Sequence, residues 1–175
     1  MSASTWTLRR LHAVDDAQIE GLAEVLIDCV EGGASVSFMH PLSRERAIAF
    51  WHKVARDVAA GGRALVIADD AFGVCGTVQL VLDQPENQPH RAELAKMLVH
   101  RRARRRGLGE ALMRAAETAA RDAGKTLLVL DTANPEAERL YERAGWTKVG
   151  VIPDFALLPH GGLCQTTFYY RTLGA

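Results

Sequence analysis

The segment Arg104-Arg105-Arg106-Gly107-Leu108-Gly109 joins an apolar stretch ending at Val99 to the start of a helical pattern. Its two glycines remove side chains where backbone N–H groups can approach a ligand, and a helix N-terminus carries partial positive charge. Both features suit an anion held by main-chain donors. Five arginines between Arg101 and Arg106 add formal charge around the loop, which favours a ligand with several phosphates over a single carboxylate.

Two common phosphate-binding motifs do not match this segment. The Lys-Ser/Thr that ends a P-loop is absent, and Ala111 and Leu112 stand where a dinucleotide fingerprint has its third glycine. The remaining pattern, Arg104-x-x-Gly107-x-Gly109, has two interpretations. It is either a pyrophosphate-binding loop or a solvent-exposed, arginine-rich helix start with a glycine hinge.

Composition limits the function classes. The 175 residues are 48% hydrophobic, which suits a single compact domain over residues 1–175. Basic and acidic residues number 21 each, so the arginines form a local patch that fits a small anionic ligand better than a nucleic acid.

Cysteine and histidine spacing argues against metal and disulfide chemistry. Three cysteines lack Cys-x-x-Cys spacing, and six histidines lack an i,i+4 pair, so we expect no metal site and no disulfide scaffold. A reducing cytoplasm is the expected location. No apolar stretch of about 18 residues occurs, so we expect no membrane partner.

Apolar periodicity predicts the elements that position the loop. Asp15 or Asp16, Ser43 and Asn134-Pro135 are predicted helix starts. The expected order is a strand near residues 5–11, helices over 17–31 and 44–60, strands over 64–68, 74–82 and 91–99, a helix over 108–123, a strand over 127–130, a helix over 135–144, and strands over 147–155 and 165–172.

Two finer expectations concern side-chain directions. Alternation along 91–99 places Glu93 and Ala95 on one face and Leu94, Lys96 and Leu98 on the other. Helical spacing pairs Glu117 with Arg121 on the outer face of their helix.

A second motif follows the glycines: Asn134-Pro-Glu-Ala137-Glu-Arg-Leu140-Tyr141-Glu-Arg-Ala-Gly145-Trp146. Together with the element order, the two motifs resemble those of the GNAT N-acetyltransferases, Gln/Arg-x-x-Gly-x-Gly/Ala and Asn-x-x-Ala-x-x-Leu-Tyr-x-x-x-Gly-Phe, with Trp146 in place of phenylalanine. The resemblance implies the α/β (α+β) class, with a mixed, largely antiparallel sheet, a central parallel β–α–β crossover and flanking helices. It implies acetyl-CoA as cosubstrate, bound by Met97, Leu98, Val99, Arg104, Arg105, Arg106, Gly107, Leu108, Gly109, Glu110, Asn134 and Tyr141.

Within that family, the stretch Gly32-Gly33-Ala34-Ser35-Val36-Ser37-Phe38-Met39 is similar to the tabtoxin-resistance acetyltransferases, which acetylate an amino-acid-like toxin. The resemblance implies a small primary amine as the acceptor, with Ser35, Phe38, Met39, Asp131 and Phe155 as substrate-binding residues. It implies a monomer or a homodimer.

Acetyl transfer to an amine assigns the catalytic roles. An ammonium group must lose a proton before it attacks a thioester, and Glu93 and Asp131 are the carboxylates expected to accept that proton. The backbone N–H of Val99, at a splayed strand end, is expected to polarise the thioester carbonyl. Tyr141 is the expected acid for the departing thiolate.

Two alternatives stay open at this point. A peptide or protein N-terminal acetyltransferase has the same fold and cosubstrate. A non-catalytic phosphate or nucleic-acid binder would use the same arginine patch, and its affinity would fall steeply with salt.

Overall fold

A computed structural model describes residues 6–174 of the chain. Within these residues, seven strands form one sheet, and four α-helices cover its two faces. In chain order the elements are β1 (Thr7–Leu11), α1 (Asp16–Glu31), α2 (Arg44–Ala59), β2 (Arg63–Asp70), β3 (Gly73–Val81), β4 (Arg91–Val99), α3 (Leu108–Asp122), β5 (Leu127–Thr132), α4 (Pro135–Arg143), β6 (Thr147–Leu157) and β7 (Leu163–Thr172).

The strand order in the sheet is β1-β2-β3-β4-β5-β7-β6. Neighbouring strands are antiparallel except for β4 and β5, which α3 joins as a parallel crossover. The predicted fold class is therefore confirmed. The first predicted strand reached back to Thr5, which lies outside the described residues.

Helix starts follow local sequence signals. The side chains of Asp15, Ser43 and Asn134 each accept a hydrogen bond from a backbone N–H in the first turn of the helix they precede. Gly107 precedes α3 in the left-handed conformation, with φ of 76°, where a side chain would be strained.

Each face of the sheet has its own apolar core. Helices α3 and α4 pack on one face, which we name the back face, around Leu112, Met113 and Tyr169. Helices α1 and α2 pack on the other, the front face, around Leu22, Trp51 and Ile67. Among residues 6–174, no helix is both long and apolar enough to cross a membrane.

A bulge interrupts β4, so the predicted alternation along this strand is wrong beyond Ala95. Between the pairs Gln79↔Ala95 and Thr77↔Leu98, β4 has one residue more than β3, and Lys96 has a φ of 49°. Leu94 consequently packs on the back face and Leu98 on the front face. The bulge also places the Lys96 ammonium beside Ser37 on the front face.

The predicted outward position of Glu117 is also wrong. Its side chain is buried and pairs with Arg121 at 3.7 Å and with Arg171 on β7 at 2.9 Å. The second partner comes from a distant strand, so helical spacing gave no sign of it.

Candidate active site

A wedge-shaped gap opens between β4 and β5. The two strands pair only at Arg91↔Leu127, Ala92↔Leu128 and Glu93↔Val129. Beyond that point β5 continues to pair with β7, whereas β4 pairs only with β3. The N–H of His100 donates to Cys75 on β3 at 2.9 Å, so alternation along the strand directs the N–H of Val99 toward the gap. The gap therefore has main-chain donors along the β4 side.

Residues 100–109, the glycine loop, lie at the wide end of this gap. A side chain on Gly107 would meet no atom within 4 Å, whereas a Cβ on Gly109 would stand 3.3 Å from the Leu140 side chain. The open space at Gly107 fits a ligand that contacts backbone at the start of α3. Gly109 instead allows α3 and α4 to approach closely.

Two of the five loop arginines are engaged by other groups of the protein. This corrects the expectation that all five place their charge around a ligand. Arg102 donates to Asp70 at 3.0 Å and to the Val74 carbonyl at 2.8 Å, and Arg101 pairs with Asp28. Burial opposes ionisation of Asp70, but the Arg102 guanidinium and a backbone N–H outweigh it and lower the pKa of this carboxyl. These two arginines hold the loop against the body of the protein.

Asp28, on α1, is the residue that anchors the loop from the front face. It is buried and accepts from the backbone N–H of Arg101 at 2.9 Å as well as from that side chain. His100 accepts from the N–H of Arg102 at 3.2 Å and so caps the short 3-10 turn Arg101–Ala103 at the start of the loop. Sequence reasoning missed Asp28 because its partners lie more than 70 residues away.

The other predicted cofactor residues differ in what they present. Leu98 and Leu108 are buried in the two cores, so only their backbone groups can face a ligand. Arg104 donates to the Val99 carbonyl at 3.1 Å, and Glu110 pairs with Arg114 at 3.3 Å. Arg105, Arg106 and Gly107 are exposed, and Met97 and Val99 are partly buried beside the gap.

Helix α4 forms the far side of the gap. The Asn134 side chain accepts from the Glu136 N–H at 2.9 Å and so starts the helix. Tyr141 is buried between Trp146 and Tyr169, with ring centroids 5.6 and 5.9 Å away. Burial raises the pKa of Tyr141 well above its usual value of 10, and the Asp131 carboxylate adds to that shift. The hydroxyl therefore stays protonated near neutral pH and does not act as a base.

A pocket of about 280 Å³ lies on the front face beside the end of β5. The structure brings together around it all five residues predicted to bind substrate, together with polar groups that sequence reasoning missed. Its lining includes Ser35, Ser37, Phe38, Met39, Asp131, Phe155, Cys164, Gln165 and Thr166.

The segment 32–43, which we name the lid, forms one wall of the pocket through Ser35, Ser37, Phe38 and Met39. The N–H of His40 donates to the Pro159 carbonyl at 3.0 Å, and the His40 and His160 rings lie 4.5 Å apart. His160 also contacts the Glu31 carbonyl at 3.0 Å. These contacts fasten the lid to the turn between β6 and β7.

The two candidate bases occupy different environments. Asp131 is exposed to the pocket and accepts from the buried Thr166 hydroxyl at 2.7 Å, which orients its carboxylate. Glu93 is about half exposed and pairs with Arg91 at 3.0 Å. Glu93 lies at the closed end of the gap, where β4 and β5 still pair.

Within residues 6–174, no group of three or more histidine, cysteine or acidic side chains is arranged to hold a metal ion. The three cysteines are free. Burial, with a contribution from Asp70, raises the pKa of Cys75 to about 11, and burial also raises the pKa of Cys29. Neither thiol is suited to act as a nucleophile near neutral pH.

Comparison with known proteins identifies the family and the fold. The sequence model described as the acetyltransferase (GNAT) family matches residues 20–146. The chain belongs to this family. Accordingly, this GNAT protein is an acetyl-CoA-dependent N-acetyltransferase, and the open space at Gly107 and the donors along the gap fit its cosubstrate.

Solved structures share the fold at low sequence identity. An N-acetyltransferase from Staphylococcus aureus Mu50 has a TM-score of 0.80 and 16% identity, covering 98% of this chain and 100% of that one. A phosphinothricin acetyltransferase from Sinorhizobium meliloti, in complex with acetyl-CoA, has a TM-score of 0.78 and 22% identity, covering 97% and 89%. A ribosomal-protein-alanine N-acetyltransferase from Brucella melitensis has a TM-score of 0.79 and 20% identity, covering 95% and 99%. The Sinorhizobium name contains a small-molecule acceptor, phosphinothricin, and the Brucella name contains a protein acceptor, the alanine of a ribosomal protein.

Proposed function

We propose that this acetyltransferase acetylates the primary amine of a small, amino-acid-like molecule. The observation that carries the proposal is the lidded pocket that opens on Asp131 beside the gap. Its volume of about 280 Å³ lies just below the range of about 300–1,000 Å³ usual for drug-sized ligands. A molecule of amino-acid size suits that volume.

The residues around the gap then have complementary roles. Acetyl-CoA supplies an acetyl thioester, which the amine attacks directly in a ternary complex. Asp131, held by Thr166, accepts the proton of the ammonium group. The Val99 N–H donates to the carbonyl oxygen as negative charge develops on it. Tyr141 gives its proton to the departing thiolate; its raised pKa makes it a weak acid, so its contribution is modest.

Asp131 rather than Glu93 is the main base in this proposal. Asp131 lines the pocket, whereas the Glu93 carboxylate is engaged by Arg91. Glu93 lies on the same face of the sheet, so it acts as a secondary acceptor through solvent.

Amino-acid-like toxins are the acceptors that the lid sequence favours. Residues 32–39 are the stretch that is similar to the tabtoxin-resistance enzymes. Several of them line the pocket, among them Ser35, Phe38 and Met39. A cytoplasmic location is part of the proposal, since the three free thiols suit a reducing compartment.

Peptide N-terminal acetylation is the second candidate, because the Brucella structure bears the name of such an enzyme. The small pocket argues against it, since a volume of about 280 Å³ suits an amino acid better than a peptide, and the contacts of His40 and His160 hold the lid in place beside it. Non-catalytic nucleic-acid binding is disfavoured because Arg101 and Arg102 are engaged in ion pairs.

The test is a thiol-release screen with acetyl-CoA and panels of amino acids, polyamines, aminoglycosides and peptides, with products identified by mass. Free amino acids or their analogues should be acetylated. Acetylation of peptides but of no free amine would replace the proposal with the second candidate.

A further inference from the structure

Lys96 places a positive charge beside the pocket that the proposed chemistry does not use. The bulge in β4 directs its ammonium to the Ser37 hydroxyl of the lid, at 3.2 Å. The same ammonium lies 5.9 Å from the centroid of the Phe50 ring. Ser37 itself lines the pocket, so the Lys96 ammonium lies one hydrogen bond behind the pocket wall.

This ammonium is only weakly compensated within the protein. In the part of the chain that the structure describes, no carboxylate forms an ion pair with it. Burial lowers the pKa of Lys96, and the nearby Arg63 lowers it further, while Asp131 opposes the shift. A partly desolvated cation that lacks a paired anion gains from binding one.

The remaining polar neighbours do not supply that anion. Arg63 is already paired with Asp57 at 2.9 Å, and it donates to the Gln79 amide oxygen at 2.8 Å. Gln79 is fully buried opposite Ala95, the residue that precedes Lys96. The strands next to Lys96 therefore present a second cation and a neutral amide.

We propose that Lys96 binds a carboxylate of the acceptor while Asp131 receives its ammonium group, so that the acceptor is an amino acid or another amine carrying a carboxylate. This inference rests on the proposed function, because it concerns the same pocket. A cation and a carboxylate at one small site complement the two charges of a zwitterion. Lys96 is then a specificity-determining residue.

The experiment compares each accepted amino acid with its carboxamide, using acetyl-CoA and thiol release. The carboxamide keeps the amine and loses the negative charge; this also lowers the pKa of the amine, so each variant is compared with the wild type on the same substrate. We expect the wild type to prefer the acids in kcat/KM. Lys96→Met, which keeps an unbranched apolar chain over Phe50, should lose roughly 10- to 100-fold on the acids, mainly through KM, as expected for a charged hydrogen bond.

Controls separate recognition from structure. Lys96→Met should leave kcat/KM for the carboxamides and the affinity for acetyl-CoA unchanged. Lys96→Gln should behave like Lys96→Met, whereas Lys96→Arg should retain the preference for acids. Lys53→Met changes an exposed lysine of α2 and should match the wild type.

Three results overturn the inference. A wild type that accepts acids and carboxamides equally has no carboxylate subsite. Equal losses on both substrate classes in the neutral Lys96 variants assign the lysine a structural role. If no free amine is acetylated although acetyl-CoA binds, the proposed function itself fails, and the inference fails with it.

Discussion

Replacing Asp131 with asparagine should reveal how the acceptor amine loses its proton. Asparagine has nearly the same shape, and its amide oxygen can still accept the hydrogen bond that Thr166 donates at 2.7 Å. The change therefore removes proton acceptance while the local contacts remain. Loss of a general base costs about 10²- to 10⁴-fold in rate, and we expect a loss in this range near neutral pH.

The size of the loss should depend on pH in a defined way. A peptide-type α-amino group has a pKa of about 8 and a lysine-type amine about 10.4, so at pH 7 about one in ten of the first and one in a few thousand of the second is free base. The α-amino group of a free amino acid lies between these limits, because its carboxylate stabilises the ammonium form. Without Asp131 the enzyme must use that free fraction. The rate of the variant should rise up to about tenfold per pH unit below the amine pKa and approach the wild type above it.

The assay measures thiol release at saturating acetyl-CoA from about pH 6 to about pH 10. Over this range general bases and amines exchange protons. Glu93→Gln makes the same acid-to-amide change at the other candidate base and serves as the matched control. It should lose much less activity, because Arg91 already engages the Glu93 carboxylate. A wild-type rate and pH profile for Asp131→Asn would remove Asp131 from the mechanism. A larger loss for Glu93→Gln would transfer the role to Glu93.

Three further predictions concern the thiolate, the glycine loop and its anchor. Tyr141→Phe should keep fold and acetyl-CoA affinity but lose roughly 10- to 1,000-fold in turnover, because a thiolate is already a fair leaving group. Gly107→Ala should weaken acetyl-CoA binding measured by calorimetry, since a φ of 76° costs alanine about 1–2 kcal/mol and its methyl enters the open space. Asp70→Asn should lower the free energy of unfolding by about 1–3 kcal/mol at pH 7, measured with urea, because Arg102 loses its charged partner. The Asp70 pKa is lowered in the folded state, so this difference should shrink as pH falls below the ordinary value of 3.8.

Each of these has an outcome that contradicts it. Wild-type turnover in Tyr141→Phe would make solvent the proton source. Gly109→Ala is the control for Gly107→Ala. If Gly109→Ala weakened acetyl-CoA binding more, the packing of α3 on α4, rather than the open space at Gly107, would determine the affinity for acetyl-CoA. A stability difference for Asp70→Asn that stays constant with pH would exclude the ion pair as its cause.

Local signals predicted much of the fold. Asp15, Ser43 and Asn134 cap their helices through neighbours two or three residues away, so the caps are readable from short segments. The crossover follows from a strand, a helix and a strand in succession. Strand β6 lies at the edge of the sheet and exposes apolar side chains, among them Val149 and Leu157. Its sequence pattern is the same as that of a buried strand, so the sequence could not show that these side chains are exposed.

The site required distant contacts that sequence could not provide. One extra residue in β4 places Lys96 on the front face beside Ser37, and the position of this bulge depends on the pairing with β3. Thr166 reaches Asp131 across 35 residues because β7 lies between β5 and β6. The pairing of Arg102 with Asp70 likewise joins two strand ends that are far apart along the chain.

Direct transfer from acetyl-CoA to a small amine is the central claim. Its most direct test is mass spectrometry of protein and products after incubation with isotope-labelled acetyl-CoA and free amino acids. The label should appear in an N-acetylated amino acid and not on the protein. Label on the protein, above all on the pocket thiol of Cys164, or label in free acetate alone, would contradict the account.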